Sequence, residues 1–175
     1  MCDSMNPVSE IGLNALCLEV AYAYLVVTVL LENVDFTSIP VHIRGGVILP
    51  LRKQGTMTTT ELRGTDFELV VAPGTNDEAS GSLYIDDGVS VSPNATTVVT
   101  MAFKDGALSV QGDFGYPTGV DIARVRFLNT QKEPRNVKIN GKTASGQAVS
   151  FNATSKVLDV VIGLPFQSNL AVHVE

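Results

Sequence analysis

Short apolar runs, each broken after a few residues by a tight-turn dipeptide, constrain this chain more than any other feature. Lys104-Asp105-Gly106 separates the runs 97–103 and 108–111. Asn140-Gly141 follows the run 137–139, and Asp86-Asp87-Gly88 follows the run 82–85. Asp-Gly and Asn-Gly accept the positive φ angles of type I′ turns, whose twist suits two antiparallel strands. The runs 67–72, 122–128, 149–151, 157–162 and 170–174 have similar length and similar punctuation, the first of them stopped by Pro73-Gly74. Further upstream, Ile39, Val41 and Ile43 alternate with Pro40, His42 and Arg44, the period-two pattern of a half-buried strand. Gly45-Gly46 then turns the chain into the run 47–49, closed by Pro50. No helical periodicity of useful length follows residue 35, and no repeat has a fixed period. The expected fold is all-β, one or more antiparallel β-sandwiches.

The 175 residues suffice for one sizeable core or two small ones. Residues 75–80 are polar and turn-rich, which makes them the expected boundary between residues 36–74 and 75–175. A net charge of −6 excludes a basic nucleic-acid footprint. That charge is unevenly spread. Residues 1–43 have no Lys or Arg and carry Asp3, Glu10, Glu19, Glu32 and Asp35, so five of the six excess negative charges lie there.

The first 35 residues read differently from the rest. They hold both cysteines, Cys2 and Cys17, and an apolar stretch over 11–31 interrupted by Asn14, Glu19 and Thr28. Glu19 near its centre and the lack of basic flanks argue against a membrane span or a signal peptide. Asn6-Pro7 could start a helix, whereas Tyr22, Tyr24, Val26, Val27 and Val29 favour strand, so helix and strand both stay open. Cys2 and Cys17 could pair, or Cys17 could be a buried free thiol; neither pattern suits zinc.

The segment Ile39-Pro40-Val41-His42-Ile43-Arg44-Gly45-Gly46-Val47-Ile48-Leu49-Pro50 resembles a motif of the α-glucosidases of glycoside hydrolase family 31. So, in order and spacing, do Phe67-Glu68-Leu69-Val70-Val71-Ala72-Pro73 and Ala79-Ser80-Gly81-Ser82-Leu83-Tyr84-Ile85-Asp86-Asp87-Gly88. The stretch 134–141 is similar to a later turn of the same family, and the wording is nearest to fungal members. The resemblance implies a C-terminal portion of such an enzyme: residues 36–74 from the end of a proximal β-sandwich and residues 75–175 as a distal one. It implies a catalytic (β/α)₈ barrel as partner and a parent that hydrolyses terminal α-linked glucose with retention, through a pair of carboxylates. Those carboxylates belong to the barrel, so no catalytic residue is carried over to this chain. No cofactor is implied. Relatives are often secreted, which leaves localisation open. Residues 1–35 depart from the family pattern and are expected to be an artefact of the gene model.

His42 and Arg44, with Gly45 and Gly46, are expected to form a structural or interface motif, Arg44 pinning the loop through its planar donors. Asp86 and Asp87 are adjacent, so on a strand they would point to opposite faces; with Gly88 they are read as turn-formers, not as a catalytic pair or a metal site. Asn94 and Asn152 open Asn-Ala-Thr sequons and are candidate N-glycosylation sites. Phe114, Tyr116 and Phe166 lie in or near turns and are the candidate platforms for an α-glucan or maltooligosaccharide, should the chain act as a free-standing carbohydrate-binding module. Arg124 and Arg126 alternate on one strand face, expected to be solvated.

Overall fold

The computed structural model describes residues 41–175. The readings that concern Cys2, Cys17 and the apolar stretch 11–31 lie outside the described residues. Eleven strands form one curled sheet in the order β8-β7-β11-β5-β4-β3-β1-β2-β6-β10-β9. In chain order they are β1 Val47–Arg52, β2 Phe67–Ala72, β3 Ala79–Ile85, β4 Thr97–Lys104, β5 Ala107–Phe114, β6 Asp121–Phe127, β7 Val137–Ile139, β8 Lys142–Thr143, β9 Val149–Asn152, β10 Val157–Pro165 and β11 Leu170–Val174. The all-β expectation is met, and the pairing is antiparallel except where β1 meets β3 and β2 meets β6.

The sheet curls because its two halves share one core. β4 alternates without fault: Thr97, Val99, Met101 and Phe103 are buried, and the residues between them are exposed. These inner residues meet their counterparts from β2, β6 and β10, so that Leu69, Val71, Val125, Leu158 and Val160 are almost without solvent contact. Phe103 and Phe127 close one end of that core, their ring centroids 5.6 Å apart. Phe166 plugs the other end, with Phe67 and Phe114 edge-on to it at 5.3 and 5.8 Å. Edge-on packing sets the positive rim of one ring against the negative face of the next.

β2 is buried along its whole length, on both faces. Its inward residues join the main core, while Val70 and Ala72 face outward into a second apolar cluster with Leu128, Ile43, Val47, Leu49 and Val157. β1 and β2 therefore sit in the middle of the sheet, between β3 and β6, and strands from both sides of residue 75 build one core.

Three local expectations are corrected. Residues 41–44 are not strand; pairing starts only where Gly46 N–H donates to the Ala72 carbonyl. Asp86-Asp87-Gly88 does not make a two-residue hairpin, because β4 resumes only at Thr97 and the chain loops out over 86–96. One helix was missed, α1 at Thr59–Arg63, capped by Thr58 Oγ1, which accepts from Glu61 N–H. At five residues it is too short to leave a periodic signal. Lys104-Asp105-Gly106 and Asn140-Gly141 do form tight hairpins, with φ of 49° and 75° at Asp105 and Gly106 and 48° and 78° at Asn140 and Gly141. Among the described residues, no helix is long and apolar enough to cross a membrane.

Candidate functional site

The strands run between two ends. One end carries the start of β1, the hairpin at Asp105-Gly106 and the loops 73–78 and 128–131. The other carries α1, the loop 86–96 and the chain around Phe166.

At the first end lies the Arg-Gly-Gly segment. His42 and Arg44 are exposed, and Arg44 has no ion-pair partner among the described residues. Backbone contacts hold the turn. Gly46, with φ of 89°, donates to Ala72 O and accepts from Ser80 N–H, so it stitches β2 to β3. Beside it a shallow groove of about 490 Å³ is bridged by an ion pair between Lys104 and Glu78 at 2.7 Å. A narrower slot of about 260 Å³ opens over Phe103 and Phe127, rimmed by Asp77, Asn129, Thr130 and Gln131.

The Asp86-Asp87-Gly88 motif lies at the second end, and the structure shows what its carboxylates do. Asp86 Oδ1 accepts from Gly88 N–H at 2.8 Å. Arg63, the last residue of α1, donates to both the carbonyl and the carboxylate of Asp86. Asp87 Oδ1 accepts from Val89 and Ser90 N–H at 3.0 and 2.9 Å, and its Oδ2 accepts from Ser90 Oγ at 2.6 Å. Those bonds, the Ser90 hydroxyl first, hold the Asp87 carboxyl down at about 2. Partial desolvation, and then Asp86 close by, push the Tyr84 hydroxyl up. Arg52 braces the same end from beneath: its guanidinium lies 3.8 Å over the Phe67 ring and donates to the carbonyls of Arg63 and Thr65. Both carboxylates are thus spent on shaping one loop and tying it to α1.

A charged cluster that sequence reasoning missed lies on the outward side of β2, β6 and β10. Glu68, 8% exposed, accepts from Arg124 at 2.7 Å, and Asp159 takes Arg126 bidentately at 2.8 and 3.1 Å. The face of Arg124 and Arg126 is therefore not solvated as expected: each arginine is half-buried and paired. The hydrogen bonds to Asp159 raise the Arg126 ionisation, against the desolvation that opposes it. The signal that could have found it is Glu68 inside an otherwise apolar strand, a charge that demands a partner.

The three aromatic candidates fare unequally. Phe166 has no solvent contact at all, so the structure corrects its reading as a sugar platform; it is a core plug. Phe114 is half-buried with its ring packed against Phe166. Tyr116 is half-buried, and its backbone is tied to Thr97 Oγ1. Asn94 is exposed in the loop 86–96. Asn152 is exposed at the end of β9, where its Oδ1 accepts from Thr154 and Ser155 N–H. Among the described residues no group of three or more His, Cys, Asp or Glu could hold a metal ion.

Comparison with known proteins gives a consistent picture. No protein-family model matches the chain. A probable alpha/beta-glucosidase of Aspergillus fumigatus is 52% identical over 128 residues, which cover 72% of this chain and 14% of that protein. An alpha-glucosidase of Aspergillus niger is 40% identical over 122 residues, 70% of this chain and 12% of the relative. The chain thus spans about a seventh of the length of the curated relatives it matches. Among solved structures, the catalytic subunit complex of ER glucosidase II superposes with a TM-score of 0.61 at 18% identity, over 76% of this chain and 17% of the neighbour. A GH31 dextranase of Flavobacterium johnsoniae superposes with a TM-score of 0.53 at 16% identity, over 76% of this chain and 19% of the neighbour. At those identities the two structures speak for the fold alone.

Proposed function

This chain is a homologue of part of the fungal α-glucosidases of glycoside hydrolase family 31, and from that premise we propose that it is a non-catalytic, C-terminal β-sandwich portion of such an enzyme. Its work is to support a catalytic barrel that hydrolyses terminal α-linked glucose, not to perform the hydrolysis. One observation carries the reading: the similarity runs through most of this chain yet through only 14% of the relative. The carboxylates agree with it. A retaining glycosidase sets two carboxyl groups about 5 Å apart across its substrate. Here Glu68 and Asp159 are locked to arginines, and Asp86 and Asp87 are locked into their own loop. The purified chain should give no turnover of maltose or of an aryl α-glucoside above a blank. Turnover from homogeneous protein would overturn the proposal.

Within this reading, residues 36–74 descend from the proximal sandwich of the parent and residues 75–175 from the distal one. The central place of β1 and β2 adds a consequence: a protein starting at residue 75 would lose the middle of its sheet. It should give no cooperative unfolding transition. The alternative of a free-standing carbohydrate-binding module loses one of its three candidate platforms, since Phe166 offers no face to a sugar.

A further inference from the structure

The sheet has two edges, β8 and β9. An edge strand shows a row of unpaired N–H and C=O groups and can take up a strand of another molecule. Native chains prevent this with charge, proline, a bulge or extreme shortness. β8 is two residues long and begins with Lys142. β9, Val149–Asn152, is longer and has no charge, no proline and no bulge. Its pairing with β10 runs without a shift from Val149↔Val160 to Asn152↔Val157. Its other side makes no backbone hydrogen bond among the described residues. Val149 and Phe151 pack on the core, whereas Ser150 and Asn152 face solvent. Residues 143–155 contain no Lys, Arg, Asp, Glu or Pro. An uncharged segment rich in β-forming residues on an open edge is the pattern that pairs with its own copies.

What this edge does carry is the sequon Asn152-Ala153-Thr154. Asn152 ends the strand, and the turn 153–156 follows. Its Oδ1 accepts from Thr154 and Ser155 N–H at 3.0 and 3.1 Å, which fixes the side chain. Its Nδ2 has no partner among the described residues. A sugar on Nδ2 leaves Oδ1 an acceptor, so both bonds survive the modification. Residues 152–155 are all exposed, and a glycan there stays in solvent beside the open strand. The other sequon, at Asn94, lies in the loop between β3 and β4, which are both interior strands.

We propose that Asn152 is N-glycosylated and that its glycan guards the β9 edge against strand pairing with a second copy. In the transfer, Asn152 Nδ2 attacks the anomeric carbon of a lipid-linked oligosaccharyl pyrophosphate. The C–N bond forms as the C–O bond to pyrophosphate breaks. Nδ2 gives up one proton to water, and the lipid pyrophosphate leaves. The guard is independent of the supporting role proposed above, because the edge is open whether or not a barrel stands beside the chain.

The test uses the full chain with Asn94→Gln, so that one sequon remains, led into the secretory pathway of a yeast by an added leader. Glycan release from its peptides in heavy-oxygen water should turn Asn152 into a labelled Asp, read by mass. An unlabelled Asn152 overturns the site. Thr154→Ser keeps the sequon and should keep the glycan. Thr154→Ala should lose it while leaving both backbone bonds to Asn152 in place. Association is then measured by sedimentation. The concentration at which dimers form should be roughly tenfold lower for Thr154→Ala than for the glycosylated chain. The unmutated sequon made in a bacterium, where no such glycan is added, should behave as Thr154→Ala does. Ser150→Lys adds a charge to the same edge and should return the glycan-free chain to within about twofold of the glycosylated one. Equal association with and without the glycan would overturn the guarding role, as would a dimer that Ser150→Lys fails to disperse.

Discussion

The two ends of this sandwich are finished in opposite ways. Where β4 turns into β5, the end is closed by a minimal hairpin, and its surface is polar, with Lys104 paired to Glu78 and Lys156 donating to Gln131. The α1 end is open work: a helix, the long loop 86–96 and aliphatic tips in solvent. Both ends are tied down, but by different means. The hairpin end is fixed by backbone geometry, whereas the α1 end is fixed by side chains: Arg52, Arg63, Asp86 and Asp87. An end that only has to stop a strand can be short and polar. The α1 end uses Asp87 to fold the loop that carries Val89, and Arg63 with Asp86 to tie that loop to the helix.

The contrast can be pressed hardest at the plug beneath the open end. Phe166→Ala removes a ring with no solvent contact that joins Phe67 and Phe114, and should lower the unfolding free energy by about 3–5 kcal/mol in a denaturant titration. A loss under about 1 kcal/mol would mean that the open end is as loose inside as its loops are long. Two glycines make the next comparison. Both hold positive φ, 75° at Gly106 and 69° at Gly88. A Cβ at Gly106 would meet the Val174 carbonyl at 2.6 Å, and backbone cannot step aside. A Cβ at Gly88 would first meet the guanidinium of Arg63, the far end of a side chain that can shift. Gly106→Ala should therefore cost about 2–3 kcal/mol and Gly88→Ala about 1 kcal/mol. Equal costs would erase the distinction between an end fixed by backbone and one fixed by side chains. Smaller again is Arg63→Met. It cuts the tie to Asp86 in a partly exposed pair, so global stability should fall by about 1 kcal/mol or less. Amide exchange across residues 86–91 should nevertheless speed up severalfold while that of β4 stays unchanged.

The same contrast separates what the chain's letters disclose from what they hide. The hairpin end was legible because a type I′ turn needs positive φ at two adjacent residues, and Asp105-Gly106 says so locally. The strands were legible because burial on one face writes an alternation, as in β4. The open end was not. Val89 and Val91 belong to none of the apolar runs, and nothing local marks them as exposed. Asp87-Gly88 looked like the other Asp-Gly turn because the difference lies in Ser90, whose hydroxyl and amide both bind Asp87 and carry the chain onward instead of back. Arg63 and Asp86 are 23 positions apart, and Arg124 and Glu68 are 56 apart. Pairings at such separations depend on which strands become neighbours, and β2 beside β6 is a parallel crossover that no turn signal announces. Phe166 was misread for the mirror-image reason: its place after Pro165 looks like a loop, yet its N–H bonds to the Val120 carbonyl and its ring turns inward.

Acid offers the finest probe of the open end. Asp87 is held at about 2 in the fold, below the ordinary carboxylate value of 3.8, by its bonds to Ser90 and Val89. A carboxyl whose folded value is depressed contributes in full above the unfolded value and loses that contribution as the pH falls through the folded one. The loop should therefore be intact above about pH 4 and should release Ser90 progressively as the pH drops towards 2. Because Asp87 faces solvent, the release should stay local. The Val89 and Ser90 amide signals should titrate with a midpoint near 2, as the folded value of Asp87 requires. Over the same range the Asp105-Gly106 hairpin, whose shape rests on backbone, should show no matching change at its amides. With Asp87→Asn that step should vanish from the Ser90 signal. Its persistence would sever the step from Asp87, and the loop would then be held chiefly through Arg63.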